Sequence, residues 1–153
     1  MNAALLAAYR RTTFTASTPS GTLSIRIGQF SIGVDDLCSA HSETTWAYVT
    51  AFNPGSVLLS QEENRKRQRE LERVVTAQGF PFYSGEGIAG GGGWPPERSL
   101  LIVGMGRAAA VRLGQCFGQC AVVYGEVGQQ AELLVCETGC SEEQVRRVSD
   151  ENA

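Results

Sequence analysis

At 153 residues, with a formal charge of −3 and an isoelectric point near 5.2, the chain suits one domain that buries roughly two-thirds of the surface its unfolded form would expose. The acidic balance argues against a general nucleic-acid or anionic-membrane binder, and no run approaches the ~18 consecutive apolar residues of a membrane span. Ala3 to Ala8 is too short and lacks the basic flank of a signal peptide, so the five cysteines, an odd number, read as reduced thiols of a cytoplasmic protein.

In chain order, Asn2 is an N-cap for a short helix over Ala3 to Arg10. Thr12 to Ala16 and Thr22 to Ile27, rich in β-branched residues, flank the turn signature Thr18-Pro19-Ser20-Gly21 and predict a hairpin. From Gly28 to Ser42 the pattern weakens, leaving at most one helical turn through Leu37 to Ala40 capped by Asp35 or Asp36. Glu43 to Phe52 reads as a strand that stops at the turn cluster Asn53-Pro54-Gly55-Ser56. Ser60, with Glu63 three residues on, opens a helix that runs to Gln78 and is closed by Gly79. Phe82 to Glu86 is a short strand, and the glycine-rich Gly87 to Pro96 is a mobile loop anchored by Trp94. Ser99 to Val103 is an apolar strand broken by Gly104-Met105-Gly106. Arg107 to Phe117 is the next helix, with Ala109, Leu113, Cys116 and Phe117 on one face, and Ala121 to Tyr124 the next strand. Glu132 to Cys136 adds a last strand, and residues 137–153 form a polar, partly frayed tail of the same α+β domain.

Strand, helix, strand, strand, helix, strand is the order of a ferredoxin-like split βαβ core, βαββαβ, here preceded by a helix and a hairpin. Right-handed crossovers place both helices on one face of the sheet and the third core strand between the first two. In that arrangement Asn53, Ser56, Asn64, Arg67, Glu86, Trp94, Glu97, Gln115 and Gln119 gather at one rim, beside the N-terminus of the Ser60 helix, whose unpaired N–H groups suit an anion or carboxamide. Helical phase sharpens this, since stepping back from the inward Leu71 reaches Arg67 and Asn64. A solvated surface with i,i+4 pairs accounts for most of the basic run around them. For Asn64 and Arg67 themselves a ligand role and a structural role stand level, the latter being a buried arginine paired with Glu86 or Glu97.

The residues also carry a likeness. T-A-F-N-P-G-S followed by E-N-R, then W-P-P-E-R-S-L-L-I-V-G, then F-G-Q before an apolar strand, resembles a small bacterial family of unknown function marked by T-A-W-N-P or a close variant. The likeness runs from A-Y-R-R-T-T-F near Tyr9 to Val123 and implies that Asn53, Pro54, Asn64, Glu97 and Gln119 belong to the family pattern. It implies no activity. Phe52 stands where tryptophan is common, and Cys120 where asparagine is expected.

Three other constellations compete with the rim. Gly104-x-Gly106-x-x-Ala109 outlines a dinucleotide fingerprint, but the remaining chain is too short for such a fold and a tight turn explains its glycines. Cys116-x3-Cys120 and Cys136-x3-Cys140 approach zinc-ligand spacing, while buried thiols explain Cys116 and Cys120 as well. His41, the lone histidine, could serve a Cys or Ser nucleophile or be a loop residue. The expectation is no metal, no cofactor, and a rim site for a small polar or anionic ligand such as a nucleotide or metabolite. Asn53, Ser56, Asn64, Arg67, Trp94 and Gln119 would bind it, with Glu86 or Glu97 as acid/base candidate. Whether a reaction follows, and the oligomeric state, stay open. The alternative is a non-catalytic protein-interaction module, marked by a flat apolar patch including Trp94 rather than a polar pocket.

Overall fold

The computed structural model describes residues 1–136; the predicted tail, 137–153, lies outside them. Helix α1 (Ala3–Arg11) starts at Asn2, whose Oδ1 accepts the Leu5 N–H at 2.8 Å, as an N-cap should. Strands β1 (Thr13–Thr18) and β2 (Gly21–Ile25) form the expected antiparallel hairpin.

Helix α2 (Ile32–Ala40) is two turns rather than the single turn anticipated, and it is capped by the Ser31 hydroxyl instead of Asp35 or Asp36. Gly33 hid it, since glycine weakens a helical pattern. A Cβ on Gly33 would sit 2.6 Å from the terminal Cδ2 methyl of Leu23 in β2, a contact that a turn of that side chain relieves.

Strand β3 (Thr45–Thr50), helix α3 (Gln61–Gln78), strands β4 (Phe82–Ile88) and β5 (Glu97–Val103), helix α4 (Arg107–Cys116), and strands β6 (Ala121–Glu126) and β7 (Glu132–Val135) complete the described chain. Helix α3 has the predicted ends. The Ser60 hydroxyl accepts the Glu63 N–H at 3.1 Å, and Gly79 closes the helix in the left-handed region at φ 81°, where a side chain would be strained. Two boundaries move outward. Strand β4 includes Gly87 and Ile88, and β5 begins at Glu97, paired with Gly87.

All described strands join one antiparallel sheet of seven in the order β2-β1-β4-β5-β3-β6-β7. Strand β5 lies between β3 and β4 and is antiparallel to both. The pleat sends alternate residues to opposite faces, and each face has its own core. On one side Val49, Leu100, Ile102 and Val122 pack with Leu71 and Val75 of α3 and Ala110 and Leu113 of α4. On the other, Phe14, Trp46, Tyr48, Leu101, Val103 and Val123 pack with Val34 and Cys38 of α2, and Tyr9 of α1 adds to the edge of that cluster. The fold is a mixed α/β one with a helix layer on each face.

Candidate functional site

The end of β3 is where the chain leaves regular structure. Asn53 is buried and left-handed (φ 48°, ψ 61°), a conformation that asparagine tolerates better than most side chains. Pro54–Ser56 follows as a single 3-10 turn with Gly55 at φ 66° and Ser56 at φ 61°. Hydrogen bonds hold the strained turn on three sides. The Asn53 N–H donates to Asn64 Oδ1 at 2.9 Å, and Asn64 Nδ2 donates back to Asn53 Oδ1 at 2.9 Å. The Leu59 N–H donates to the same Asn53 oxygen at 3.0 Å, and Asn53 Nδ2 donates to Glu97 Oε2 at 2.7 Å. Asn53 therefore ties α3 to the start of β5.

Arg67, for which the sequence leaves a ligand role and a pairing with Glu86 or Glu97 level, bonds to main-chain carbonyls. Its Nε donates to the Ala51 carbonyl at 2.8 Å and its Nη2 to the Phe117 carbonyl at 2.5 Å. Among the described residues no ion pair involves Arg67, so neither Glu86 nor Glu97 is its partner. Burial without a counter-charge lowers its pKa, because desolvation disfavours the charged form. Gln68 shares the inward stripe, was absent from the sequence reading, and accepts the Ala51 N–H at 3.2 Å through Oε1. Gln119 donates to the Phe52 carbonyl at 3.0 Å and the Phe117 carbonyl at 3.3 Å. These bonds fasten the frayed end of β3 to α3 and to the end of α4, satisfying carbonyls that would otherwise be buried alone.

The predicted rim residues divide into two groups. Asn53, Ser56, Trp94, Glu97 and Gln119 line one cavity of about 400 Å³. Asn64 and Arg67 do not line it; they stand behind its wall. Glu86, exposed on β4, and Gln115, near the end of α4, are also outside it. The cavity opens on the face opposite α3, since Glu97 has the same pleat parity as Leu101 and Val103. Its other wall was not anticipated: Leu5, Ala8 and Tyr9 of α1, with Thr12, face Asn53 and Glu97 across the space, and Ala89 to Gly93 of the glycine loop edges it. The signal for α1 was its apolar spacing, which shows that a helix buries a face but not against what. A smaller cavity of about 60 Å³ shares Tyr9, Thr12, Glu97 and Gln119 and reaches Tyr48 and Ser99 beneath.

Burial raises the pKa of the Glu97 carboxyl, while hydrogen bonding from Asn53 and Trp94 pulls it part of the way back. Burial, and then the Glu97 charge, push the Tyr9 hydroxyl well above its ordinary range, with Ser56 acting the other way. Glu97, Tyr9, Ser56 and Trp94 thus form one electrostatic group on the cavity wall.

The rival constellations are placed elsewhere. The Gly104 segment turns against Glu43, whose carboxylate carbon would be 2.9 Å from a Cβ at Gly104; an acidic group at that distance does not suit a pyrophosphate cradle. His41 Nε2 lies 2.7 Å from the Tyr83 hydroxyl, so the partner of this nitrogen is a tyrosine and not a Cys or Ser. Among the described residues no group of three or more His, Cys, Asp or Glu could hold a metal ion; Cys140 lies outside them. Cys120 is disulfide-bonded, so the reading of every thiol as reduced does not hold there. No helix among the described residues is long and apolar enough to cross a membrane.

No curated protein and no solved structure matches the chain. Residues 49–122, from β3 to β6 and so including every rim residue but not α1, match the model of a family described as a protein of unknown function (DUF3293).

Proposed function

We propose that the protein binds a small polar ligand in the cavity between α1, the Asn53–Ser56 turn, the glycine loop and the start of β5. The observation that carries this reading is Glu97. A half-buried carboxylate held by Asn53 at 2.7 Å, on the wall of a cavity of about 400 Å³, is costly to keep. The space is within the usual ligand range of about 300 to 1,000 Å³. Trp94 and Tyr9 supply apolar wall, and Ser56 and Gln119 supply polar groups that orient a guest. Glu97 is the acid/base candidate if chemistry follows, since burial raises its carboxyl pKa and a raised carboxyl holds and releases a proton more readily at higher pH. A concave, largely apolar space with a few convergent polar groups favours ligand binding over a flat interaction surface.

The same reading takes the β3-to-β6 unit as ferredoxin-like, supported by the order β4-β5-β3-β6 and by α3 and α4 sharing one core. It also takes the matching family as a bacterial one marked by T-A-(W/F)-N-P, and the protein as cytoplasmic, which the free thiols of Cys38 and Cys136 support and the bonded Cys120 opposes.

An unbiased thermal-shift screen of small polar metabolites on the full chain tests the site. At least one compound is expected to raise the unfolding midpoint by several degrees, because a ligand at 100 times its Kd stabilises by about 2.7 kcal/mol. Ala8→Trp, which fills the cavity from α1, should remove the effect. A stabilising compound indifferent to that substitution would place binding elsewhere.

A further inference from the structure

Resting on that binding site, we infer that its ligand carries a positively charged nitrogen, an ammonium, amidinium or guanidinium group, set against Glu97 beside Trp94 and Tyr9. The first support is a count of charges. Among the described residues no Arg, Lys or His side chain lines the cavity, and Glu97 is the one carboxylate that does. An anionic guest, half of the original expectation, would meet a like charge with no cation beside it, because Arg67 is engaged with the Ala51 and Phe117 carbonyls.

The second support is a count of donors. Asn53 Nδ2 donates to Glu97 at 2.7 Å, Gln119 Nε2 to the Phe52 carbonyl at 3.0 Å, and the Thr12 hydroxyl to the Ala8 carbonyl at 2.8 Å. These three donors are directed at the protein itself, and the Ser56 and Tyr9 hydroxyls that also line the space can accept as well as donate, whereas an ionised carboxylate has about four acceptor positions, more than Asn53 and Trp94 fill. The wall therefore offers acceptance, and a guest rich in N–H groups complements it.

The third support is the aromatic pair. Trp94 and Tyr9 both line the space, and aromatic rings attract cations, tryptophan most strongly. Burial that leaves Glu97 short of counter-charge is the deficit such a guest would relieve.

Benzylamine and benzamidine, with benzoate and benzyl alcohol as anionic and neutral counterparts of similar size, test the charge by thermal unfolding of the full chain. The two cations are expected to raise the midpoint, and Glu97→Gln, which keeps an oxygen for Asn53 but loses the charge, to weaken their binding at least tenfold. Trp94→Leu, on the loop and outside both cores, is expected to weaken them severalfold and serves if Glu97→Gln folds poorly. Stabilisation by benzoate or benzyl alcohol as large as that by the cations, and abolished in Ala8→Trp, would keep the binding site and overturn its positive guest. Stabilisation by the cations that neither Glu97→Gln nor Trp94→Leu reduces would overturn it as well. So would the failure of all four probes at millimolar concentration, in which case the metabolite screen alone decides the site.

Discussion

Arg67 shows how one side chain can meet the pattern of a binding residue and do structural work. Its two bonds go to the Ala51 and Phe117 carbonyls, and the second of these also accepts from Gln119. Arg67→Ala therefore leaves one buried carbonyl without a donor and should cost about 2 to 3 kcal/mol, read as a lower denaturant midpoint with the slope unchanged. That is less than the roughly 3 to 5 kcal/mol of a stranded buried carboxylate, because among the described residues no carboxylate pairs with it. Glu97 carries a separate prediction. Its folded-state pKa is raised above the ordinary 4.5, so the native state holds this proton more tightly than the unfolded chain. The contribution is complete below pH 4.5 and is lost as pH rises through the raised native value. Glu97→Gln removes that loss, so its midpoint relative to the wild type should climb between pH 4 and pH 7. A constant difference across that range would show that the carboxyl is not perturbed.

At the scale of elements, β1 is the joint between the hairpin and the rest of the sheet. It pairs with β4 only at Thr13 and Phe14, after which Thr15 bonds through its hydroxyl to the main chain of Glu86. The Thr15 carbonyl accepts the Tyr48 hydroxyl at 2.7 Å and passes so close to Gly85 that a Cβ there would lie 1.7 Å from it. Nothing but glycine fits this contact, and its negative φ is not the reason. Gly85→Ala must push β1 off β4 and disturb Phe14 and Ala16 of the second core, at about 3 kcal/mol. Hydrogen exchange should quicken in β1 and β2 while the Leu100 to Ile102 amides stay slow.

The described residues form two cores on one sheet, and the cavity belongs to the thinner side. Helices α3 and α4 cover the first face with buried residues of their own, whereas α1 contributes none that is fully buried. Removing residues 1–11 should therefore leave a cooperatively folding protein. The expected loss is about 2 to 4 kcal/mol, for a few half-buried apolar side chains, with slow exchange retained in β3, β5 and β6. The cavity would lose one wall, and any compound found by screening should no longer shift the midpoint. Retained binding would show that α1 is packing only.

Local chemistry determined much of this protein. Ser60 and Gly79 mark the ends of α3, the β-branched runs around Thr18 to Gly21 make the hairpin, and Asn53-Pro54-Gly55-Ser56 stops β3, all through interactions within a few residues. Helical phase likewise put Asn64 inward, where it is buried. Tertiary structure decided what those residues do. Arg67 reaches partners 16 and 50 positions away and Asn53 reaches Glu97 44 positions away, and no periodicity encodes which carbonyl or carboxylate waits there. The face of the cavity turned on a strand boundary: starting β5 at Glu97 instead of Ser99 sets Glu97 into the pleat with Leu101, on the side of α1 and away from α3. A side chain's direction follows from the period of two only once the strand is known to include it, and the β4 partner that extends β5 to Glu97 is Gly87, itself read from sequence as loop.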